Sequence, residues 1–111
     1  MDEVGGEEWL RELGSRLASR SVDPDVRLVV QHTITNPGPR TWHVVVADGR
    51  LTVVPGPHQA PDVTLSSDAG TAAAIADGSR SARREFLDGR LRIGGDIVAM
   101  IAARGVLAAI T

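Results

Sequence analysis

The chain has no cysteine. Disulfides, thiolate metal sites and thiol nucleophiles are excluded together. It has no tyrosine either, and its aromatic side chains are Trp9, Trp42 and Phe86 alone, too few for a pocket that recognises ring systems by stacking. Lysine is absent; every basic side chain is arginine, and the formal net charge is −2. The missing lysine reads as codon usage, and the charge balance leaves no broad basic field to attract nucleic acid. The longest apolar run, residues 97–103, stops at Arg104. That is far short of a bilayer span, so stable membrane insertion is not expected. Asp2, Glu3, Glu7 and Glu8 occupy the region where a secretory signal would carry its apolar core. The end, Ala109-Ile110-Thr111, is not a peroxisomal address. The compartment these features predict is the cytoplasm.

What remains is an ordinary globular composition whose apolar share, 42% of 111 residues, is almost entirely Val, Ile, Leu and Ala. The length predicts one domain over residues 7–111, preceded by a disordered stretch at 1–6. A chain of this size buries roughly two-thirds of its unfolded surface, which builds one core with little to spare for a large void.

Hydrophobic periodicity orders the elements. Leu10, Leu13 and Leu17 recur at helical spacing, with Trp9 beside them, and predict a helix over residues 7–20. Pro24 stops it by restricting Asp23. Residues 26–35 alternate as a strand, with Val26, Leu28, Val30 and Ile34 on one face and His32 among them. After Asn36-Pro37-Gly38-Pro39, a second strand over 41–48 puts Trp42, Val44 and Val46 on one face. Asp48-Gly49 is a strong hairpin signal and leads to a third strand at 50–55, with Leu51 and Val53 inward. A fourth strand at 62–66 turns Val63 and Leu65 inward. Asp68 caps a helix over 69–77 that ends at Gly78; Ser81 caps another over 82–88 that ends at Gly89. A fifth strand at 90–94 has Leu91 and Ile93 inward and Arg90 and Arg92 in water, and a last helix spans 97–110. The predicted fold class is α+β: a five-stranded, largely antiparallel sheet covered on one face by helices.

No residue set organises a reaction, and no catalytic residue is assigned. There is no GxSxG elbow, and the serines sit where turns and caps need them. His32, His43 and His58 lack the spacing of metal ligands, so neither metal nor cofactor is expected. His32, on an apolar face, reads as a partly buried core histidine. If it faces a cavity, it can hydrogen-bond a ligand hydroxyl or carboxylate. Arg83, Arg84, Arg90 and Arg92 form a small basic patch, read either as solvated surface or as an entrance attracting phosphate or carboxylate. Gly94-Gly95-Asp96 has neither phosphate-loop spacing.

The order of elements, with TWHVVVADGRLTVVPG, then DVTLSS, then a helix ending in ADG, then EFLDGRLRIGGD, resembles the sterol carrier protein 2 (SCP2-like) family. The likeness covers roughly residues 7–107. It implies a non-enzymatic protein that carries apolar ligands, namely fatty acyl chains, acyl-CoA or sterol-like lipids, in a cavity between sheet and helices. The inward strand residues that would line it are Val44, Val46, Leu51, Val53, Leu65, Leu91 and Ile93. The helices would add Ile75, Phe86, Met100, Ile101 and Leu107. The last helix is apolar on more than one side and needs a second apolar neighbour. Read from the residues alone, that neighbour is a ligand cavity, more core, or a second copy of the chain. The alternative function is therefore an interaction or dimerisation module with a filled core, forming a homodimer through the C-terminal helix or docking on a partner enzyme.

Overall fold

The computed structural model describes residues 4–36 and 38–102, without the side chains of Ile97, Met100 and Ala102. Its elements run α1 (Glu7–Ala18), β1 (Leu28–Ile34), β2 (Arg40–Ala47), β3 (Arg50–Pro55), β4 (Val63–Ser67), α2 (Ala69–Ala76), α3 (Ala82–Leu87), β5 (Arg92–Gly95) and α4 (Ile97–Ala102). The strands form one sheet in the order β3-β2-β1-β4-β5. Every pair is antiparallel except β1–β4, which is parallel. Among the described residues no helix is long and apolar enough to cross a membrane. The predicted reach of the last helix to residue 110 lies outside the described residues.

Local chemistry explains the boundaries. The β2–β3 hairpin turns on Asp48 and Gly49, both at positive φ (55° and 78°), the conformation that two-residue hairpin loops require. β1 starts later than the alternation suggests, because Asp23 closes a turn: its carboxylate accepts from Asp25 N–H and its carbonyl from Val26 N–H. β5 starts at Arg92, not at residue 90, because the N–H groups of Arg90 and Leu91 both donate to the Glu85 carbonyl. Those residues belong to the corner after α3. Asp68 and Ser81 cap α2 and α3 as expected, accepting from Thr71 N–H and Arg84 N–H.

Strand register assembles the inner face in rows. One row runs Val53–Val44–Val30–Val63–Gly95; the next runs Pro55–Trp42–His32–Leu65–Ile93. Leu10, Leu13 and Leu17 of α1 are buried over this face, α1 packing chiefly on β3. α2 adds Ala72 and Ile75. The opposite face is covered in part by the loop after β3. There the His43 ring pairs with the Gly56 carbonyl at 2.8 Å, and His58 N–H donates to Gln31.

Two expectations meet a different structure. Phe86 is 48% exposed, while Glu85 beside it is 1% exposed. The buried carboxylate is neutralised by Arg80 at 3.0 Å and Arg90 at 3.3 Å. Arg90 stays exposed, as expected, while one end of its guanidinium reaches Glu85. On α4, Val98 and Ile101 are 74% and 70% exposed. Neither is packed against the sheet.

Candidate functional site

A small cavity lies between the inner face and its two covering helices. Measured as space open to the centre of a water molecule, it holds about 30 Å³, enough for one or two waters by that measure. Its floor is the sheet: Val30 and His32 from β1, Trp42 and Val44 from β2, Leu65 from β4. Its roof is Trp9 and Leu13 from α1 and Ala72, Ile75 and Ala76 from α2. The two helices are tied across the top where the Arg16 guanidinium donates to the Ala76 carbonyl at 3.0 Å. Among the described residues no lining side chain is charged.

His32 is the ionisable group of this lining. Its Nε2 lies 3.0 Å from Ser67 Oγ, and its ring rests against Trp42 at a centroid distance of 4.7 Å. Burial lowers its pKa from 6.5 to about 4. The imidazole is thus neutral at pH 7. A histidine beside a serine suggests a base and its nucleophile, but this base is too weak for that work at neutral pH, and among the described residues no carboxylate orients it. The nearby Asp68 carboxylate is engaged by Thr71 N–H, which holds its pKa below the ordinary range. Among the described residues no group of three or more His, Asp or Glu side chains is placed to hold a metal ion.

Of the residues expected at a ligand site, Val44, Leu65 and Ile75 line the cavity. Val46, Leu51 and Leu91 are buried in the core beside it, and Ile93 is half-buried against that core. Val53 lies on an open groove between α1 and β3 with Leu10 and Pro55. Phe86 is about half exposed and Ile101 largely so, and neither is among the residues that line the cavity. The Met100 side chain and Leu107 lie outside the described residues. The sequence-based list missed Trp9, Leu13, Val30, Trp42, Ala72 and Ala76. Register was the signal for four of them: once Asn36–Pro39 is read as the β1–β2 turn, Val30 faces Val44 and His32 faces Trp42. Leu13 and Trp9 then follow as the helix face laid over those rows.

The sequence pattern of the SCP-2 sterol transfer family matches residues 11–108. The chain belongs to that family. Solved structures agree at the level of fold. The crystal structure of sterol carrier protein 2 like 2 from Aedes aegypti is 24% identical, covers 89% of this chain and 94% of its own, and superposes with a TM-score of 0.67. The solution structure of the palmitated form of that mosquito protein is also 24% identical, with coverage of 91% and 89% and a TM-score of 0.69. A stereoselective inverting sec-alkylsulfatase from Pseudomonas sp. is 21% identical over 80% of this chain but only 14% of the enzyme, with a TM-score of 0.60. No curated protein sequence matches the chain. The SCP-2 fold thus occurs both as a small protein by itself and as a minor part of a much larger enzyme.

Proposed function

We propose that this SCP-2 family protein binds and carries aliphatic lipids, fatty acyl chains foremost, between the inner sheet face and the helices α1 and α2, and that it does so without catalysing a reaction. One observation carries the reading: among the described residues the cavity between those layers is lined by apolar side chains and the neutral His32, with no charged group. Burial of methylene groups there is favourable by about 0.8 kcal/mol each and is non-directional, so chain length counts and chain identity counts little. The palmitated state of the mosquito relative fits the same ligand class.

An acyl chain needs far more room than about 30 Å³. The roof is built to yield it. α2 reads AGTAAAIA, and Ile75 is its one large buried side chain. Lifting α2 therefore forfeits little apolar burial, and the Arg16–Ala76 hydrogen bond is the polar tie to be broken. The sterol-sized ligands of the family's name would demand a wider opening, which makes straight chains the better fit.

The test is a thermal-shift series with saturated fatty acids of increasing length, read together with native mass spectrometry of gently purified protein. Binding predicts a melting temperature that climbs with chain length and co-purified lipid in the spectrum. A flat response with a ligand-free dimer would replace this reading with the filled-core interaction module. That second reading draws on the exposed Val98 and Ile101 of α4.

A further inference from the structure

The cavity has one feature that apolar carriage does not use. Among the described residues no fully buried side-chain nitrogen or oxygen is left without a hydrogen-bond partner. His32 bonds through Nε2 to Ser67 Oγ, and among the described residues its Nδ1 has no partner. An unpartnered Nδ1 on this ring is therefore not fully buried, and His32 is one of the residues that line the cavity.

We infer that His32 Nδ1 is the polar handle of the cavity, and that the ligand class it selects is a straight-chain aliphatic alcohol, seated with its hydroxyl at His32 and its chain leading out between α1 and α2. The inference rests on the lipid-binding reading and adds its head-group chemistry. The His32–Ser67 pair suits an uncharged oxygen because a hydroxyl both donates and accepts. When Nε2–H donates to Ser67, Nδ1 accepts from the alcohol; when Ser67 donates to Nε2, Nδ1–H donates to it. A carboxylate has no such welcome. Among the described residues no lining side chain carries a positive charge, and an ionised group sunk among Val30, Trp42 and Leu65 would lose its hydration without a counter-charge from them. A fatty acid must enter the other way round, methyl end first, leaving its head group near the exposed Arg16 at the rim. Alcohols and acids of one length thus share the chain site and differ in which end meets His32.

Trp9 and Trp42 both line the cavity and are the only tryptophans, so their emission reports occupancy directly. The experiment titrates 1-decanol and decanoate into the full chain and into His32→Leu and His32→Gln. Removing one good hydrogen bond should weaken decanol by about threefold to tenfold in His32→Leu, leave decanoate within about twofold, and be largely repaired by Gln. In the unmodified protein, decanol should shift the His32 ring ¹⁵N resonances while decanoate leaves them in place, a readout that stands even if a variant does not fold. Equal loss for both ligands, or no ring shift with decanol bound, overturns the handle and leaves lipid binding intact. If neither ligand binds the unmodified protein, the carrier reading falls first and this one with it.

Discussion

His32 lies against Trp42 across the β1–β2 pair, with ring centroids 4.7 Å apart and planes at 35°. The pair occupies the middle of the inner face, flanked by Leu65 on the β4 side. A protonated imidazole there would be a charge without a partner. Burial accordingly depresses the folded-state pKa to about 4, against 6.5 for the free side chain. Between these values the unfolded chain binds the proton and the folded one does not, so stability falls as pH drops from 6.5 towards 4 and levels off below. The shift corresponds to roughly 3 kcal/mol. Urea midpoints at pH 7, 5.5 and 4.5 should decline in the unmodified protein and decline less in His32→Gln. Asp68, whose pKa is lowered by the Thr71 N–H, acts in a different window: its contribution is present above its unfolded value of 3.8 and is lost only as pH falls below it.

Glu85 supplies a second test. Its carboxylate is buried and shared between Arg80 and Arg90, each half-exposed. Either arginine alone still neutralises it, so Arg80→Ala and Arg90→Ala should each cost about 1 kcal/mol. The double variant leaves an unpaired buried charge and should cost about 3–5 kcal/mol, more than the sum. A strictly additive cycle in urea unfolding would mean that the two ion pairs do not share one carboxylate's desolvation.

The same residue marks where the sequence stops being legible. Long periodic segments were readable: Leu10, Leu13 and Leu17 give the phase of α1 three times over, and the alternation in β1 and β2 gives the inner face once the intervening turn is recognised. α3 spans only Ala82–Leu87. One phenylalanine in so short a helix gives no phase, and hydropathy alone turns Phe86 inward. The structure turns Glu85 inward because its flanking arginines neutralise it and because its carbonyl anchors the start of the next segment. Both reasons depend on partners five or six residues away in sequence, which the period of a short helix does not reveal. The cavity had a similar fate. Val44, Leu65 and Ile75 came from patterning, whereas Ala72 and Ala76 look like generic helix formers until α2 is laid over the sheet.

Gly95 tests the outer edge of the sheet. It pairs with Val63 and sits at φ +118°, and a Cβ placed there would meet the Asp62 carbonyl oxygen at 2.3 Å. Backbone occupies the space, so no rotamer change relieves the clash. Gly95→Ala should destabilise the fold by more than about 1 kcal/mol. A stability equal to the parent's in guanidinium unfolding would show that β5 rearranges freely and does not hold the edge.

Arg16 tests the roof. Its guanidinium donates to the Ala76 carbonyl, the polar tie between α1 and α2. Both partners lie at the surface, so Arg16→Ala should cost no more than about 1 kcal/mol of stability. Its effect on ligand exchange should be larger: faster association and faster release of a fatty acid in stopped-flow tryptophan fluorescence. Unchanged rates would mean that lipid enters by a route other than the gap between these helices.

Ile75 separates a carrier from a filled core. It is the one large side chain that α2 buries over the cavity. Ile75→Val removes a single methylene and should cost about 0.5–1.5 kcal/mol in the absence of ligand. In a carrier, a bound acyl chain occupies the space that the methylene leaves. The variant should then gain more in melting temperature from a saturating fatty acid than the parent gains. Ligand stabilisation follows RT ln(1 + [L]/Kd), about 2.7 kcal/mol at a hundredfold excess over Kd, so even a modest gain in affinity is visible. A core that is meant to stay filled behaves differently: the variant loses stability, and no concentration of lipid restores it. Differential scanning calorimetry of both proteins, with and without palmitate, reads the two outcomes in one series.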